Sequence, residues 1–152
     1  LSSLAIISTI PAITPEALEK VRQIEKVLAG LEEAQIKTEH LIHGGMYART
    51  VRIGPGVMGT NVVINRPTML IINGPIGLLV GEGWVEFVGY NVIAASSGRK
   101  QIFFTRGAVE VTMIFPTAAK TVAEAEAEFT DEAEGLLSRR QDGNETITVT
   151  GE

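Results

Sequence analysis

The chain has 152 residues, 45% of them apolar and 20% charged, with a formal net charge of −5, two histidines and no cysteine. That length and balance describe one folded domain with a real core, and aromatics at only 5% leave that core to Val, Ile, Leu, Met and Ala. The absence of cysteine excludes disulfides, thiolate nucleophiles and thiolate zinc sites, and the acidic balance disfavours phosphate backbones and anionic membranes, so neither nucleic acid nor membrane is expected as a partner.

Residues 1–13 read as an N-terminal arm. Leu4, Ile6, Ile7 and Ile10 make it apolar and β-leaning. It is read either as tucked against its own domain or as docking on a neighbouring subunit. Leu4-Ala5-Ile6-Ile7 has no basic stretch before it and no cleavage pattern after it, so it is not expected to be a signal peptide. No apolar run reaches the roughly 18 residues of a membrane span.

Residues 14–45 read as a helix and a connector. Thr14-Pro15-Glu16 is a helix start: Thr caps, Pro suits the first turn, and Glu favours the positive end of the dipole. Val21, Ile24, Leu28 and Leu31 then recur at helical spacing as one apolar stripe, expected to pack on the helix's own domain. From residue 46 to 120 short apolar runs alternate with Gly, Pro and Asn. Strands are expected near 46–53, 57–64, 68–72, 76–80, 84–88, 91–95, 100–105 and 108–115. Such spacing marks an antiparallel sandwich or barrel, and eight short strands suit a jelly roll. Several runs, such as Met69-Leu70-Ile71-Ile72, are apolar on both faces, so one face should meet something beyond the core. A second helix is expected near 121–138 within residues 121–140, with Thr121 and Glu124 at capping-box spacing and Gly135 weakening its last turn. The tail, residues 141–152, carries a run at 144–150 that reads as a short strand or as disorder.

The chemistry-bearing residues are few. His40 and His43 stand three apart with Glu39 beside them, short of the four ligands a metal site needs, and they read as ordinary polar residues at a helix-to-strand junction. Gly54-Pro55-Gly56-Val57-Met58-Gly59 has the letters of a dinucleotide motif but is followed by a β-like run, so a turn between strands is expected. Glu82, Glu86 and Glu110 have no partner in sequence that would tune them for acid catalysis.

The stretch His43-Gly44-Gly45-Met46-Tyr47-Ala48-Arg49-Thr50-Val51-Arg52-Ile53-Gly54-Pro55-Gly56 resembles the opening of small cupin-like proteins of tailed bacteriophages, which pair a Tyr-Ala-Arg strand with a Pro-x-Gly-like turn. Ile71-Ile72-Asn73-Gly74-Pro75-Ile76 is similar to their apolar hairpin, Ser97-Gly98-Arg99-Lys100 to their Pro-Gly-x-Lys-Arg turn, residues 112–117 to their last strand and 121–126 to their exit helix. The likeness spans residues 43–130 and implies a mainly β, antiparallel jelly-roll or cupin-like barrel with an N-terminal and a C-terminal helix. Metal-binding cupins carry His-x-His and Glu after the first Gly turn, and a further His near the end of the barrel. Here those places read Asn61-Val62-Val63-Ile64-Asn65-Arg66 and Thr105-Arg106-Gly107-Ala108, without His. The resemblance therefore implies a degenerate cupin with no metal and no cofactor.

Two functions are expected from these readings. The first is a non-catalytic structural or assembly protein of a tailed phage, a homo-oligomer that contacts other phage structural proteins, assembled in the host cytoplasm and located in the virion. The alternative is a small-molecule or sugar-binding cupin or a metal-independent enzyme, with Tyr47, Arg49, Trp84, Tyr90 and Arg106 lining the barrel mouth.

Overall fold

The turn signals cut the chain into short strands, and alternation within each strand decides which side is buried. The computed structural model describes residues 9–81, 83–141 and 143–152. Among these residues eleven strands form two sheets. In chain order they are β1 (Thr9–Ile10), β2 (Ile36–His43), β3 (Met46–Ile53), β4 (Met58–Thr60), β5 (Thr68–Asn73), β6 (Ile76–Val80), β7 (Gly83–Phe87), β8 (Tyr90–Ala95), β9 (Ile102–Thr105), β10 (Val109–Pro116) and β11 (Glu145–Val149). Three helices accompany them: α1 (Pro15–Leu28), α2 (Val122–Phe129) and α3 (Leu137–Arg140), with a 3₁₀ turn at Ala133–Gly135.

The larger sheet has the order β1-β8-β5-β10-β3-β2-β11, the smaller β4-β9-β6-β7. Pairing is antiparallel except at the two outer edges of the larger sheet, where β1 lies parallel to β8 and β11 parallel to β2. The fold is thus mainly β, but the expected closed barrel is corrected to two separate sheets. The chain crosses between them six times, four of these at Gly54-Pro55-Gly56, Gly74-Pro75, Val88-Gly89 and Arg106-Gly107-Ala108 and the others in the stretches between β4 and β5 and between β8 and β9. Proline has no N–H to continue a ladder. Gly74, at φ +124°, brings the backbone so close to β10 that a Cβ there would stand 2.5 Å from the Ala108 carbonyl oxygen. At the two corners that hold proline, Pro55, Pro75 and Gly74 therefore end one sheet before the other begins.

The inner faces meet in a core of Ile10, Ile42, Tyr47, Leu70, Ile72, Ile76, Leu78, Phe87, Ile93, Val109, Met113 and Phe115. Ala125, Phe129 and Leu136 from the C-terminal segment join that cluster.

Three local expectations change. The connector before residue 46 contains β2, whose alternation buries Ile36, Thr38, His40 and Ile42. The helical stripe of α1 buries Val21 alone, while Ile24 and Leu31 stay exposed. Polar tethers hold this helix instead: Lys100 and Thr60 on Glu25, and Glu132 on Arg22. The second helix breaks after Phe129, where extended Thr130 accepts from the Glu132 amide and Glu132 turns its carboxylate to Arg22 and to the Val63 amide.

Candidate functional site

The hairpin of β2 and β3 sets His40 opposite Arg49, and Ile42 opposite Tyr47. Parallel pairing of β11 places Glu145 beside Thr38. Helices α2 and α3 bring Glu126, Phe129, Ser138 and Arg139 over the same spot. The result is a polar cluster inside an apolar core. His40 is 2% exposed. Its Nε2 lies 2.7 Å from Glu145 Oε2 and its Nδ1 2.7 Å from the Tyr47 hydroxyl. A carboxylate only accepts, so Nε2 carries the proton and the Tyr47 O–H donates to Nδ1. Burial, and then the Arg49 charge, depress the His40 pKa, outweighing the pull of Glu145 the other way. Burial likewise holds the Tyr47 proton on.

Arg49 donates to Ser138 Oγ at 3.3 Å, sits 3.7 Å from Glu126, and lies over the Phe129 ring at 5.8 Å. Arg139 Nε donates to the same Glu126 at 2.9 Å. Two buried atoms, Thr38 Oγ1 and Arg49 Nη1, have no hydrogen-bond partner among the described protein groups; internal water ordinarily satisfies such groups. His40, Tyr47 and Glu126 are engaged and shut from solvent, while Glu145, bonded to His40, keeps a partly exposed side chain. Chemically the cluster clamps β11 and α2 to the hairpin.

A second grouping lies on the outer side of the smaller sheet. Glu86 accepts from Arg106 at 2.7 and 2.9 Å and from the Trp84 indole N–H, and Arg106 stacks over Phe104 at 5.4 Å. The Arg106 hydrogen bonds are the main reason the Glu86 carboxyl is held below its usual range. The indole lies across Gly77, where a Cβ would come within 2.2 Å of Trp84 Cζ2.

The third feature is the outer face of the larger sheet. The strand registers align three rows across it. One reads Ala94, Met69, Ile114, Ala48, Leu41. The next reads Val92, Ile71, Thr112, Thr50, Glu39. The last reads Tyr90, Asn73, Glu110, Arg52, Lys37. Met69, Val92, Tyr90 and Leu41 are exposed, as is Met46 nearby on β3. Thr50 and Thr112 share a 2.8 Å hydrogen bond, and Arg52 pairs with Glu110 at 2.7 Å and Glu39 at 3.3 Å.

The five residues expected to line a barrel mouth do not meet. Tyr47 and Arg49 are buried in the clamp, Trp84 and Arg106 share Glu86 on the smaller sheet, and Tyr90 stands on the outer face of the larger one. Among the expected arm residues, Ile10 is wholly buried beside β8, while Leu4, Ile6 and Ile7 lie outside the described residues. Glu82 also lies outside them. On a strand, alternate positions face opposite ways: His40 points inward, whereas Glu39 and the exposed His43, bonded to Thr150, do not.

No group of three or more His, Asp or Glu able to hold a metal occurs among the described residues. Thr105 and Asn61 bind backbone: Thr105 donates to the Gly54 carbonyl, and Asn61 accepts from the Gln101 amide. Open depressions among the described residues include two. One of about 540 Å³ lies at the strand ends beside Ile36, Ile53 and Val109, and one of about 230 Å³ lies between Tyr90 and Arg52 on the outer face. Sequence reading missed His40, Thr38, Glu126 and Glu145 as a unit. Little in the sequence signals it, because the inward positions of β2 include the polar Thr38 and His40.

No protein-family model matches the sequence, and no curated protein matches it. Solved structures are similar in part. The cupin domain of Cnp3 from Schizosaccharomyces pombe shares 16% identity over 75% of this chain and 78% of that one, with a TM-score of 0.45. A cupin-2 domain containing protein from Shewanella frigidimarina shares 8% over 65% and 97%, with a TM-score of 0.43. A conserved protein of unknown function from Streptococcus pyogenes shares 11% over 58% and 79%, with a TM-score of 0.44. The phage part of the resemblance has no counterpart among these three.

Proposed function

We propose that this chain is a non-catalytic structural or assembly component that works through protein–protein contacts, as a homo-oligomer and, following its resemblance to small cupin-like phage proteins, within a tailed-phage virion. One observation carries the reading: the outer face of the seven-stranded sheet is crossed by an apolar row that no described residue covers. Strands of up to eight residues in seven ranks give that face roughly 600–700 Å². The whole face, polar rows included, approaches the roughly 800 Å² that a standard interface covers on each partner, and its exposed apolar side chains are Leu41, Met46, Met69, Tyr90 and Val92. Three ionisable groups on the same face, Glu39, Arg52 and Glu110, are already paired with each other, so the apolar row is the larger source of binding energy there.

Mass spectrometry of purified particles tests the placement. A fixed copy number matching a symmetric ring supports it, and particles devoid of the chain overturn it.

A second reading, as a small-molecule or sugar-binding protein, is favoured by the Trp84, Glu86 and Arg106 grouping. An exposed indole beside a fixed carboxylate and guanidinium offers a stacking platform with polar groups at its edge. Trp84 is the only tryptophan, so a saturable change in its fluorescence with mono- or disaccharides would favour this reading, and a flat titration would remove it.

A further inference from the structure

We propose that two copies of this chain join edge to edge through β11, in an antiparallel register centred on Thr148, so that their seven-stranded sheets run on into one. The proposal deepens the assembly reading above, on which it rests for its purpose but not for its geometry.

Among the described residues β11 is paired on one side only. The Thr38 amide donates to the Asn144 carbonyl at 2.8 Å and the Thr150 amide to the Ile42 carbonyl at 3.1 Å. Together with the register, these bonds turn the backbone groups of 144, 146, 148 and 150 toward β2. The N–H and C=O groups of Glu145, Ile147 and Val149 therefore point along the open edge. Proteins usually blunt such an edge with Pro, Lys or a bulge. The run Thr146-Ile147-Thr148-Val149-Thr150 has none of these and no charge.

The same run is a palindrome in character: hydroxyl, apolar, hydroxyl, apolar, hydroxyl. A two-fold axis through Thr148 sets Ile147 opposite Val149 of the second copy, and Val149 opposite its Ile147. Directly opposed residues of an antiparallel pair share a face, so four apolar side chains cluster on one side of the seam. Ile147 is 55% exposed and Val149 45%, although both lie on the side where neighbouring His40 and Ile42 are buried. The Ile147–Val149 pairs use the outward backbone groups, so they are the hydrogen-bonded pairs of the new ladder. Moving the axis to Ile147 sets Glu145 against Val149, and moving it to Thr146 sets Glu145 against Ile147. Only the Thr148 axis pairs both apolar residues with apolar residues and leaves each Glu145 opposite a glycine, Gly151. His40 meanwhile holds the Glu145 carboxylate inward. The contact is isologous, so it closes as a dimer rather than growing into a fibre.

The chain has no cysteine, which makes the register directly testable. Thr148 would face its own counterpart as a non-hydrogen-bonded pair with Cα atoms about 4.5 Å apart, within the span of roughly 4.4–6.8 Å that a disulfide bridges. Thr146 would stand about 13 Å from its counterpart. Oxidised Thr148→Cys should therefore become a covalent dimer while Thr146→Cys does not. The wild-type protein should sediment at twice the 16.3 kDa of one chain. Ile147→Pro removes an outward N–H but no bond to β2, and should return the mass to one chain with the circular dichroism unchanged.

A wild-type monomer, equal cross-linking of the two cysteine variants, or a dimer that survives Ile147→Pro overturns the seam. An oligomer that persists in Ile147→Pro refutes the seam and leaves the assembly reading standing. A cross-linked Thr148→Cys dimer whose chain is missing from purified particles refutes the virion placement and leaves the seam standing.

Discussion

Glu145→Ala isolates the clamp that holds β11. The substitution leaves the His40 Nε2–H without its acceptor, in a side chain with no solvent exposure. A buried donor left unsatisfied costs about 1–3 kcal/mol. The Glu145 side chain is 27% exposed, so water can reach into the space it vacates, which places the cost near the lower part of that range, about 1–2 kcal/mol. That is roughly a 5–30-fold change in an opening equilibrium. All five β11 residues are exposed, so few other contacts resist local opening, and the loss should appear there first. Native-state hydrogen exchange reads it directly. The Thr146 and Thr148 amides, which the register turns toward β2, should exchange about 5–30-fold faster, while Val51 and Thr112, paired in the middle of the sheet, should not change. Equal acceleration across the sheet, or unchanged β11 amides, would refute the clamp as the anchor of that strand.

The remaining predictions concern pH and packing. His40 is held below its usual 6.5, so between its folded pKa and 6.5 the unfolded chain binds the extra proton. Its contribution is complete above about pH 6.5 and is lost as pH falls toward the folded pKa. Glu25 and Glu132 are held below their usual 4.5: burial pushes each up but is outweighed, at Glu25 by bonds from Lys100 and Thr60 and at Glu132 by the Val63 amide and Arg22. Their share is present above about pH 4.5 and disappears below it, loosening α1. Urea midpoints should therefore fall from pH 7.5 to pH 5.5 and again below pH 4.5, and a flat profile contradicts both assignments. In Gly77→Ala the new methyl meets the indole at 2.2 Å, so the ring, 43% exposed, must swing aside; Trp84 emission should shift, whereas an unchanged spectrum would show that the ring does not lie there.

Much of the β architecture is legible in the residues. The runs at 46–53 and 76–80 are strands with those bounds, because Gly and Pro flank them on both sides. β2 is not legible, since Thr38 and His40 occupy inward positions that look polar until Glu145, Tyr47 and the Arg49 cluster are brought to them from elsewhere in the chain. The stripe on α1 misleads for the converse reason: its apolar residues are spaced for packing, but the helix is tied down by Glu25 and Arg22. The mouth imagined around Tyr47, Arg49, Trp84, Tyr90 and Arg106 fails because side-chain type says nothing about which of two sheets, or which face, a strand will present. The outer apolar face was foreshadowed by Met69-Leu70-Ile71-Ile72, where apolar residues fill both alternating sets.

That face is the centre of the proposed role, and the methionines report on it. Met46 (41% exposed) and Met69 (57%) stand on it, Met58 (51%) belongs to the smaller sheet, and Met113 (6%) is buried. Peroxide footprinting of the free chain should oxidise the first three and spare Met113. In intact particles, Met46 and Met69 should become protected while Met58 remains reactive. Met46 and Met69 oxidised there as readily as in the free chain would contradict the assignment of this face as the contact surface.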